Sequence, residues 1–398
     1  LDIGTSKIVC IVAKLSESND LSIIGIGQSR SEGLKKGVVV NIDSTVNSIK
    51  KAIEEAELMA DCKIRTVTTG IAGSHINSFS STGMVAIPHS EVSQSDIDRV
   101  IETASIVNIP SDQDVLHVIP QEYIIDGQED IKEPIGMSGR RLEVRAHIVT
   151  GSVTAVQNIE KCITRCGISV NDLILQPLAS SNSCLTEDEK NLGTLLIDIG
   201  GGTSDIAIFS AGAIRHTAVV PVAGDQITFD ISIATRTSTL EAESIKLEHG
   251  ICKQSLSGNP VSFDVSGLGD RPARSLSKNT LAAVIEPRVE ELFFLVKQIT
   301  EESGFDELIS SGVVLTGGTS MLDGIVELAE DVFKRQVRIA NPKYSGNLSD
   351  VIANPRYATA MGLIMEAKKN MQSFDKSFES SSFSEMLARM KSWFVGNF

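Results

Sequence analysis

The sequence predicts an α/β protein of two similar lobes, with a smaller α/β module inserted in the first lobe and an amphipathic segment at the C-terminus. Three observations carry this. Short apolar runs bounded by Gly and polar turns alternate with amphipathic helical runs along most of the 398 residues. One motif occurs twice, as Asp2-Ile3-Gly4-Thr5-Ser6-Lys7-Ile8 and as Asp198-Ile199-Gly200-Gly201-Gly202-Thr203-Ser204-Asp205-Ile206. Each copy is an apolar strand ending in Asp, a Gly/Thr/Ser turn, and a second apolar strand. The rhythm also changes between residues 73 and 150, where a small unit with its own sheet is expected. A chain of this length exceeds one compact core, so several domains are expected.

In chain order, residues 7–15, 21–29 and 36–42 read as strands separated by polar or Gly turns. Ser44 is expected to cap a helix over 45–60 with Val46, Ile49, Ile53, Ala56 and Ala60 on one stripe, and 65–72 returns to strand. In the inserted stretch, 83–88, 115–125 and 141–150 read as strands, and 93–107 as a helix opened by Ser93-Gln94-Ser95-Asp96. A helix over 153–166, a strand over 171–175 and a helix from Pro177 follow, then a buried-type strand over 195–198. The helix over 279–302 contains Pro287 and is expected to kink or split there. A strand over 313–315 runs into Gly317-Gly318 and a helix over 320–333, and the last helix of the folded body covers 357–369. Residues 370–382 read as a polar linker, and 383–398 as an amphipathic helix.

The totals exclude several classes. Apolar residues at 41% and charged residues at 22% fit a folded soluble protein rather than a disordered one. A net charge of −15 argues against a broad nucleic-acid face and against the body lying on anionic lipid. The six Cys are scattered with no Cys-x-x-Cys pair, so they read as core thiols of a reducing compartment. No run has the length of a transmembrane helix, and no signal peptide opens the chain. Leu1 is not Met and opens inside an apolar strand, so the native N-terminus is expected upstream.

The repeated motif carries the chemistry. Gly4, Gly200, Gly201 and Gly202 let backbone N–H groups approach phosphate oxygens, and Thr5, Ser6 and Thr203 add hydroxyl donors. Asp2 and Asp198, at the strand ends, can hold Mg²⁺ through water or orient an attacking water. Two such hairpins facing each other would grip a triphosphate from both sides, so the duplication implies a nucleotide cleft between two lobes. A third turn, Thr316-Gly317-Gly318-Thr319, would let a flat ring lie against the backbone at a helix start. Glu243 and Lys246, three apart on one helix face, can reach a ribose edge, although such a pair by itself is more often a surface ion pair.

These elements in this order resemble the actin, sugar-kinase and heat-shock-chaperone superfamily over nearly the whole chain to residue 369. Within it, the chain resembles the FtsA family of bacterial division proteins. The marks are Glu57-Leu58-Met59-Ala60-Asp61-Cys62, His117-Val118-Ile119-Pro120-Gln121-Glu122-Tyr123, Leu178-Ala179-Ser180-Ser181, Ile285-Glu286-Pro287-Arg288 and Val314-Leu315-Thr316-Gly317-Gly318. The resemblance implies a first lobe from 1–72, 151–180 and 350–369, and an inserted subdomain over 73–150. It implies a second lobe from 181–220 and 286–349, with a further subdomain over 221–285. It assigns an ATP and Mg²⁺ site to Gly4, Thr5, Ser6, Lys7, Gly200 to Thr203, Glu243, Lys246, Gly317 and Gly318, with Thr319 adjoining. Asp2 and Asp198 belong to the metal and water region, with Asp205 nearby. Gln176 sits where actins place a water-orienting Gln. No dedicated general base is visible, so weak or no ATPase is expected.

The same resemblance implies filament formation by self-association and binding of the FtsZ C-terminal peptide near Arg288. It further implies later division proteins recruited through the inserted subdomain, and a peripheral place on the cytoplasmic face of the inner membrane at the division site. No nucleic-acid partner is implied. The tail agrees from its own chemistry. Phe383, Met386, Leu387, Met390, Trp393, Phe394 and Phe398 form one helical stripe flanked by Arg389 and Lys391, which suits a membrane interface. The alternatives are a small-molecule kinase or a chaperone ATPase of the same superfamily. The first has no use for the tail, and the second would need a peptide-binding domain where only residues 370–398 remain.

Overall fold

The computed structural model describes residues 1–16, 19–258, 262–267 and 272–380, with the backbone alone for 372–380. The chain opens with β1 (Asp2–Ile3), β2 (Lys7–Leu15) and β3 (Leu21–Arg30), which form an antiparallel sheet in the order β1-β2-β3. A small hairpin of β4 (Leu34–Lys35) and β5 (Val38–Val39) follows in place of the continuous strand expected over 36–42. Lys36 and Gly37 both take positive φ, 50° and 76°, so the chain reverses where the strand was expected. Helix α1 (Ile42–Ala60) starts earlier than expected, because Asn41 rather than Ser44 is the cap and accepts from the Ser44 N–H. The expected stripe is buried, except that Ala60 is only half-buried. Strand β6 (Thr66–Ile71) closes this stretch, and its Gly70 N–H donates to the Leu1 carbonyl at 3.4 Å, beside β1.

The inserted module has its own four-stranded antiparallel sheet. It comprises β7 (Asn77–Ala86), α2 (Gln94–Ser105), β8 (Gln113–Ile125), β9 (Gln128–Ile131) and β10 (Arg141–Ser152), in the sheet order β7-β10-β8-β9. Its own core includes Val100, Leu142, Val144 and Ile148. Ser93 and Asp96 form a capping box at the start of α2. The chain then returns through α3 (Val153–Thr164) to β11 (Ser169–Leu175), which pairs in parallel with β6.

After α4 (Gln176–Cys184) and α5 (Glu187–Leu192) the pattern repeats. β12 (Thr194–Ile199), β13 (Ser204–Ser210) and β14 (Ala213–Val220) are antiparallel, like β1, β2 and β3. Next come α6 (Gly224–Thr235), α7 (Thr239–His249), the hairpin of β15 (Ser262–Val265) and β16 (Arg274–Ser277), and α8 (Lys278–Glu302). β17 (Val313–Thr316) adds in parallel beside β12, and after α9 (Ile325–Phe333) β18 (Val337–Ile339) extends the sheet to the order β14-β13-β12-β17-β18. The first lobe has a three-stranded sheet, β3-β2-β1, and a separate parallel pair, β6-β11, linked by the Leu1 amino group donating to the Thr68 carbonyl at 2.8 Å and the Gly70 N–H donating to the Leu1 carbonyl at 3.4 Å. The likeness of the two motifs thus extends to three antiparallel strands in each lobe.

Three local expectations change. Helix α8 is continuous through Pro287, and its face of Leu281, Ile285, Val289, Leu292 and Val296 is buried. Burial of that face outweighs one missing backbone donor. The helix expected over 320–333 is a single 3₁₀ turn at Gly318–Met321 followed by α9, because Gly324 takes φ 78° between them. After α10 (Ser349–Ile352), the final helix α11 (Ala358–Ser380) runs well into the expected linker. Residues 370–380 contain neither Gly nor Pro, and Lys, Met, Gln and Glu there are good helix formers. The amphipathic segment 383–398 lies outside the described residues.

The inserted module also reaches the edge strand of the second lobe. Ser78 Oγ donates to the Thr217 carbonyl at 2.9 Å, Gln121 Nε2 donates to the Ile214 carbonyl at 2.7 Å, and buried His147 Nε2 lies 2.9 Å from Thr217 Oγ1. Helices α4 and α11 meet backbone to side, where a Cβ on Gly362 would stand 1.7 Å from the Ala179 carbonyl oxygen. Gly→Ala within a helix normally stabilises by up to about 1 kcal/mol. Here the forced separation of α4 and α11 reverses the sign. Gly362→Ala is expected to destabilise the fold by about 1–3 kcal/mol, read as a lowered urea midpoint.

Candidate functional site

The two repeated hairpins share one turn hydrogen bond and one strand register. In the first, Asp2 faces Val9 across the strand pair and the Gly4 N–H donates to the Lys7 carbonyl at 3.0 Å. In the second, Asp198 faces Asp205 and the Gly200 N–H donates to the Thr203 carbonyl at 3.0 Å. The turns confront each other. A Cβ on Gly201 would lie 2.6 Å from Ser6 Cβ, and one on Gly202 would lie 2.7 Å from Thr5 Cγ2. Only glycine permits this approach at the second turn. Thr5 Oγ1 also accepts from the Gly37 N–H at 3.0 Å, so the β4–β5 hairpin braces the first turn.

The third turn joins them. Gly317 takes φ 85°, and any Cβ there would collide with Asp198 Oδ1 at 2.4 Å and the Ile199 carbonyl oxygen at 2.5 Å. Thr319 Oγ1 donates to the Gly200 carbonyl at 2.7 Å. Space opens at Gly318, whose nearest neighbour to an added Cβ is Arg356 Cβ at 3.9 Å. Glu243 and Lys246 pair at 2.7 Å as expected. Lys246 is buried rather than on the surface, and its Nζ also donates to the Gly224 carbonyl at 3.1 Å and to Thr228 Oγ1 at 2.8 Å. Gly224 lies at the amino end of α6, where its N–H donates to the Gly200 carbonyl at 3.1 Å. The pair is therefore built into the second turn.

Burial sets the electrostatics. Asp2, Asp198 and Asp205 are all buried. Burial raises the Asp2 pKa to about 6, helped by the charge of Asp198 and opposed by Lys7. Lys7 falls to about 8, chiefly by burial, with Arg356 adding to the fall and Asp2 opposing it. Its Nζ donates to the Arg356 carbonyl at 2.7 Å and lies 4.7 Å from the Tyr357 ring centroid. Burial also raises Asp198, against hydrogen bonds from Ser180 and Thr359. Asp205 is raised well above the usual range by burial and by Asp198, and its Oδ1 has no hydrogen-bond partner. Gln176, the first residue of α4, donates from Nε2 to Asp2 Oδ1 at 3.3 Å.

The site residues named from the sequence thus come together, apart from two groups. Arg288, on α8, donates from Nε to Asp230 Oδ2 at 2.6 Å and from Nη1 to Glu291, away from the cleft contacts. The tail residues Phe383 to Phe394 lie outside the described residues. Several neighbours have no site role assigned from the sequence. Ser180 and Thr359 bind the Asp198 carboxylate from α4 and α11. The Asp225 N–H donates to the Gly201 carbonyl at 2.7 Å. Among the described residues, no cluster of three or more His, Cys, Asp or Glu side chains forms a direct metal-binding set. The buried carboxylates and the unpartnered Asp205 oxygen fit a hydrated divalent cation held through water.

A family model described as cell division protein FtsA matches residues 195–362, and one described as the SHS2 domain inserted in FTSA matches residues 73–150. A cell division protein FtsA of Pseudomonas aeruginosa is 52% identical over 100% of this chain and 97% of its own length. The protein of the same name from Neisseria meningitidis is 48% identical over 100% of this chain and 98% of its own. The chain belongs to the FtsA family. It is an actin-like cell division protein. Solved structures give the fold independently. A PilM–PilN type IV pilus biogenesis complex superposes with TM-score 0.65 at 16% identity, covering 92% of this chain and 96% of that one. MreB5 of Spiroplasma citri bound to ADP superposes with TM-score 0.56 at 15% identity, covering 93% and 97%.

The raised Asp2 pKa gives this FtsA-family chain a defined pH dependence. The folded state keeps the Asp2 proton up to about pH 6, and the unfolded chain only to about pH 4. The contribution of Asp2 is therefore full below pH 4 and is lost as pH rises through 6. Asp2→Asn removes that dependence. In urea unfolding, the stability of the wild type relative to Asp2→Asn is expected to fall by on the order of 2 kcal/mol between pH 4 and 7.

Proposed function

We propose that the chain binds ATP with Mg²⁺ between its two hairpins, assembles with copies of itself, and tethers FtsZ filaments to the inner face of the cytoplasmic membrane at the division site. The observation that carries this is the face-to-face meeting of the Gly201-Gly202 and Thr5-Ser6 turns. With Thr203, the two turns supply glycine backbone and hydroxyl side chains from opposite lobes, the chemistry that two grips on a phosphate chain require. Support comes from the fold neighbours, since MreB5 of Spiroplasma citri was solved with ADP and with AMPPNP.

In this reading Gly4 to Lys7 and Gly200 to Thr203 hold the phosphates. Gly317, Gly318 and Thr319 receive the base, and Glu243 and Lys246 reach the ribose. Asp2 and Asp198, with Asp205, hold the hydrated Mg²⁺ that neutralises phosphate charge. Gln176 is the one candidate for orienting a water, and its hydrogen bond to Asp2 favours slow turnover over efficient hydrolysis. Gly202→Val would push a side chain into the space of Thr5 and is expected to abolish ATP binding in a titration of the folded variant. Retained ATP affinity would overturn the assignment.

The FtsZ C-terminal peptide would meet the surface around Arg288, whose guanidinium is held by Asp230 and Glu291. Residues 73–150 would recruit later division proteins. No helix among the described residues is long and apolar enough to cross a membrane, which leaves contact to the 383–398 segment. One reversible amphipathic helix becomes a firm anchor when many copies act together on a filament. Co-sedimentation with anionic liposomes is expected for the full chain and lost for residues 1–382. Equal pelleting of both proteins would remove the anchor from the proposal.

A further inference from the structure

The stretch Pro355–Thr359 has none of the Gly signals that mark the cleft, yet the first and third turns and the strand leading into the second all touch it. Lys7 of the first turn donates to the Arg356 carbonyl and lies on the Tyr357 ring. Gly318 of the third turn faces Arg356 Cβ. Asp198, which ends the strand before the second turn, takes its hydrogen bonds from here and from α4. Thr359 Oγ1 donates to Asp198 Oδ2 at 3.1 Å, Ser180 Oγ donates to the same oxygen, and the two hydroxyls lie 3.0 Å apart.

Ser180 and Thr359 stand on α4 and α11, which pack on each other, and α11 lies on strands of the first lobe. Asp198 belongs to the sheet of the second lobe. The carboxylate is thus clamped from across the cleft. A tie between a helix and a strand does not require an acid, because a neutral side chain would serve at a smaller desolvation cost. Two neutral O–H donors on one carboxylate oxygen do something more specific. They lock its rotamer and favour the ionised form without neutralising the charge. Oδ1 is left on the side of Gly317, next to the third turn. An anion kept rigid and unneutralised in a buried cleft suits a cation that arrives with the ligand.

The geometry points to Ser180 and Thr359 as positioning residues that hold the Asp198 carboxylate for the hydrated Mg²⁺ of bound nucleotide, which makes the amino end of α11 a fourth wall of the site. This rests on the nucleotide reading above. Ser180 and Thr359 act through Asp198 and touch neither the nucleotide nor the metal directly.

The test is calorimetric titration of the full chain with ATP, once with Mg²⁺ and once with EDTA. Thr359→Val is expected to weaken Mg²⁺–ATP about tenfold while leaving ATP in EDTA within about twofold of wild type, as loss of an outer-shell partner does elsewhere. Thr359→Ser keeps the hydroxyl and is expected to restore wild-type affinity. Ser180→Ala is expected to move in the same direction as Thr359→Val, and it takes over the test if that variant does not fold. Unchanged Mg²⁺–ATP affinity in these variants overturns the inference, and so do equal losses with and without Mg²⁺, which mark a purely structural tie. A wild type that binds ATP equally in Mg²⁺ and EDTA overturns it while leaving the nucleotide reading intact. A wild type that binds no ATP overturns both.

Discussion

The fold is organised around the burial of three carboxylates, Asp2, Asp198 and Asp205, in the gap between two hairpin turns. Buried anions are costly, and the cost falls only when opposite charge or hydrogen-bond donors are close. The chain supplies Lys7 as a cation, Ser180 and Thr359 as donors to Asp198, and Gln176 as a donor to Asp2. That supply is incomplete, since burial still raises all three acids. Much of the architecture serves to bring these groups together. Three antiparallel strands in each lobe hold the hairpins, α4 and α11 deliver the donors, and glycines at the turns let the backbones meet.

What could be read from the sequence follows from what is local. A strand ending in Asp, a Gly turn and a second strand are contiguous, so both hairpins and the Gly317 turn were visible, and their repetition implied two lobes. The Glu243–Lys246 pair was visible by its helical spacing, but the burial of Lys246 was not. A three-residue spacing says the two side chains share a face and is silent on what that face packs against. Ser180 and Thr359 were invisible for the same reason. Their partner Asp198 is 18 and 161 residues away in sequence, and although Ser180 lies in Leu178-Ala179-Ser180-Ser181, nothing in that run points to a carboxylate partner. Element types were mostly legible and their ends less so. The reversal at Lys36-Gly37 and the early start of α1 at Ile42 were set by local turn and cap geometry that hydrophobic pattern does not encode. The run after residue 369 has polar composition but strong helix formers, and propensity prevailed over composition as far as Ser380.

The inserted module shows how an extra unit can be tied to both halves. Its chain ends leave and return beside β6 and α3 in the first lobe, yet Ser78, Gln121 and His147 contact β14 of the second lobe. His147 is buried in that contact, and burial lowers its pKa to about 4. It is therefore neutral at physiological pH, so the contact is a neutral hydrogen-bonded junction rather than an ion pair. Such a junction is insensitive to ionic strength. The same module also meets β11 of the first lobe, where the Leu175 N–H donates to His117 Nε2 at 3.0 Å, so one unit bridges both lobes.

The two hairpins are alike in backbone and unlike in chemistry, and that difference gives the cleft a direction. Lys7 and Thr203 hold equivalent places, each accepting through its carbonyl from the first glycine of its own turn. The positions opposite the two strand-end acids are Val9 and Asp205. The first lobe therefore contributes a cation and an apolar neighbour, while the second contributes a hydroxyl and a further acid. A symmetric cleft would grip a symmetric ligand equally well in either orientation. This one has Lys7 beside Asp2 on one wall and the facing acids Asp198 and Asp205 on the other. A polyanion accompanied by a cation satisfies both walls only when the anion lies toward Lys7 and the cation toward Asp198 and Asp205. Duplication supplied the two grips, and divergence at two pairs of positions made the site polar enough to orient what it holds.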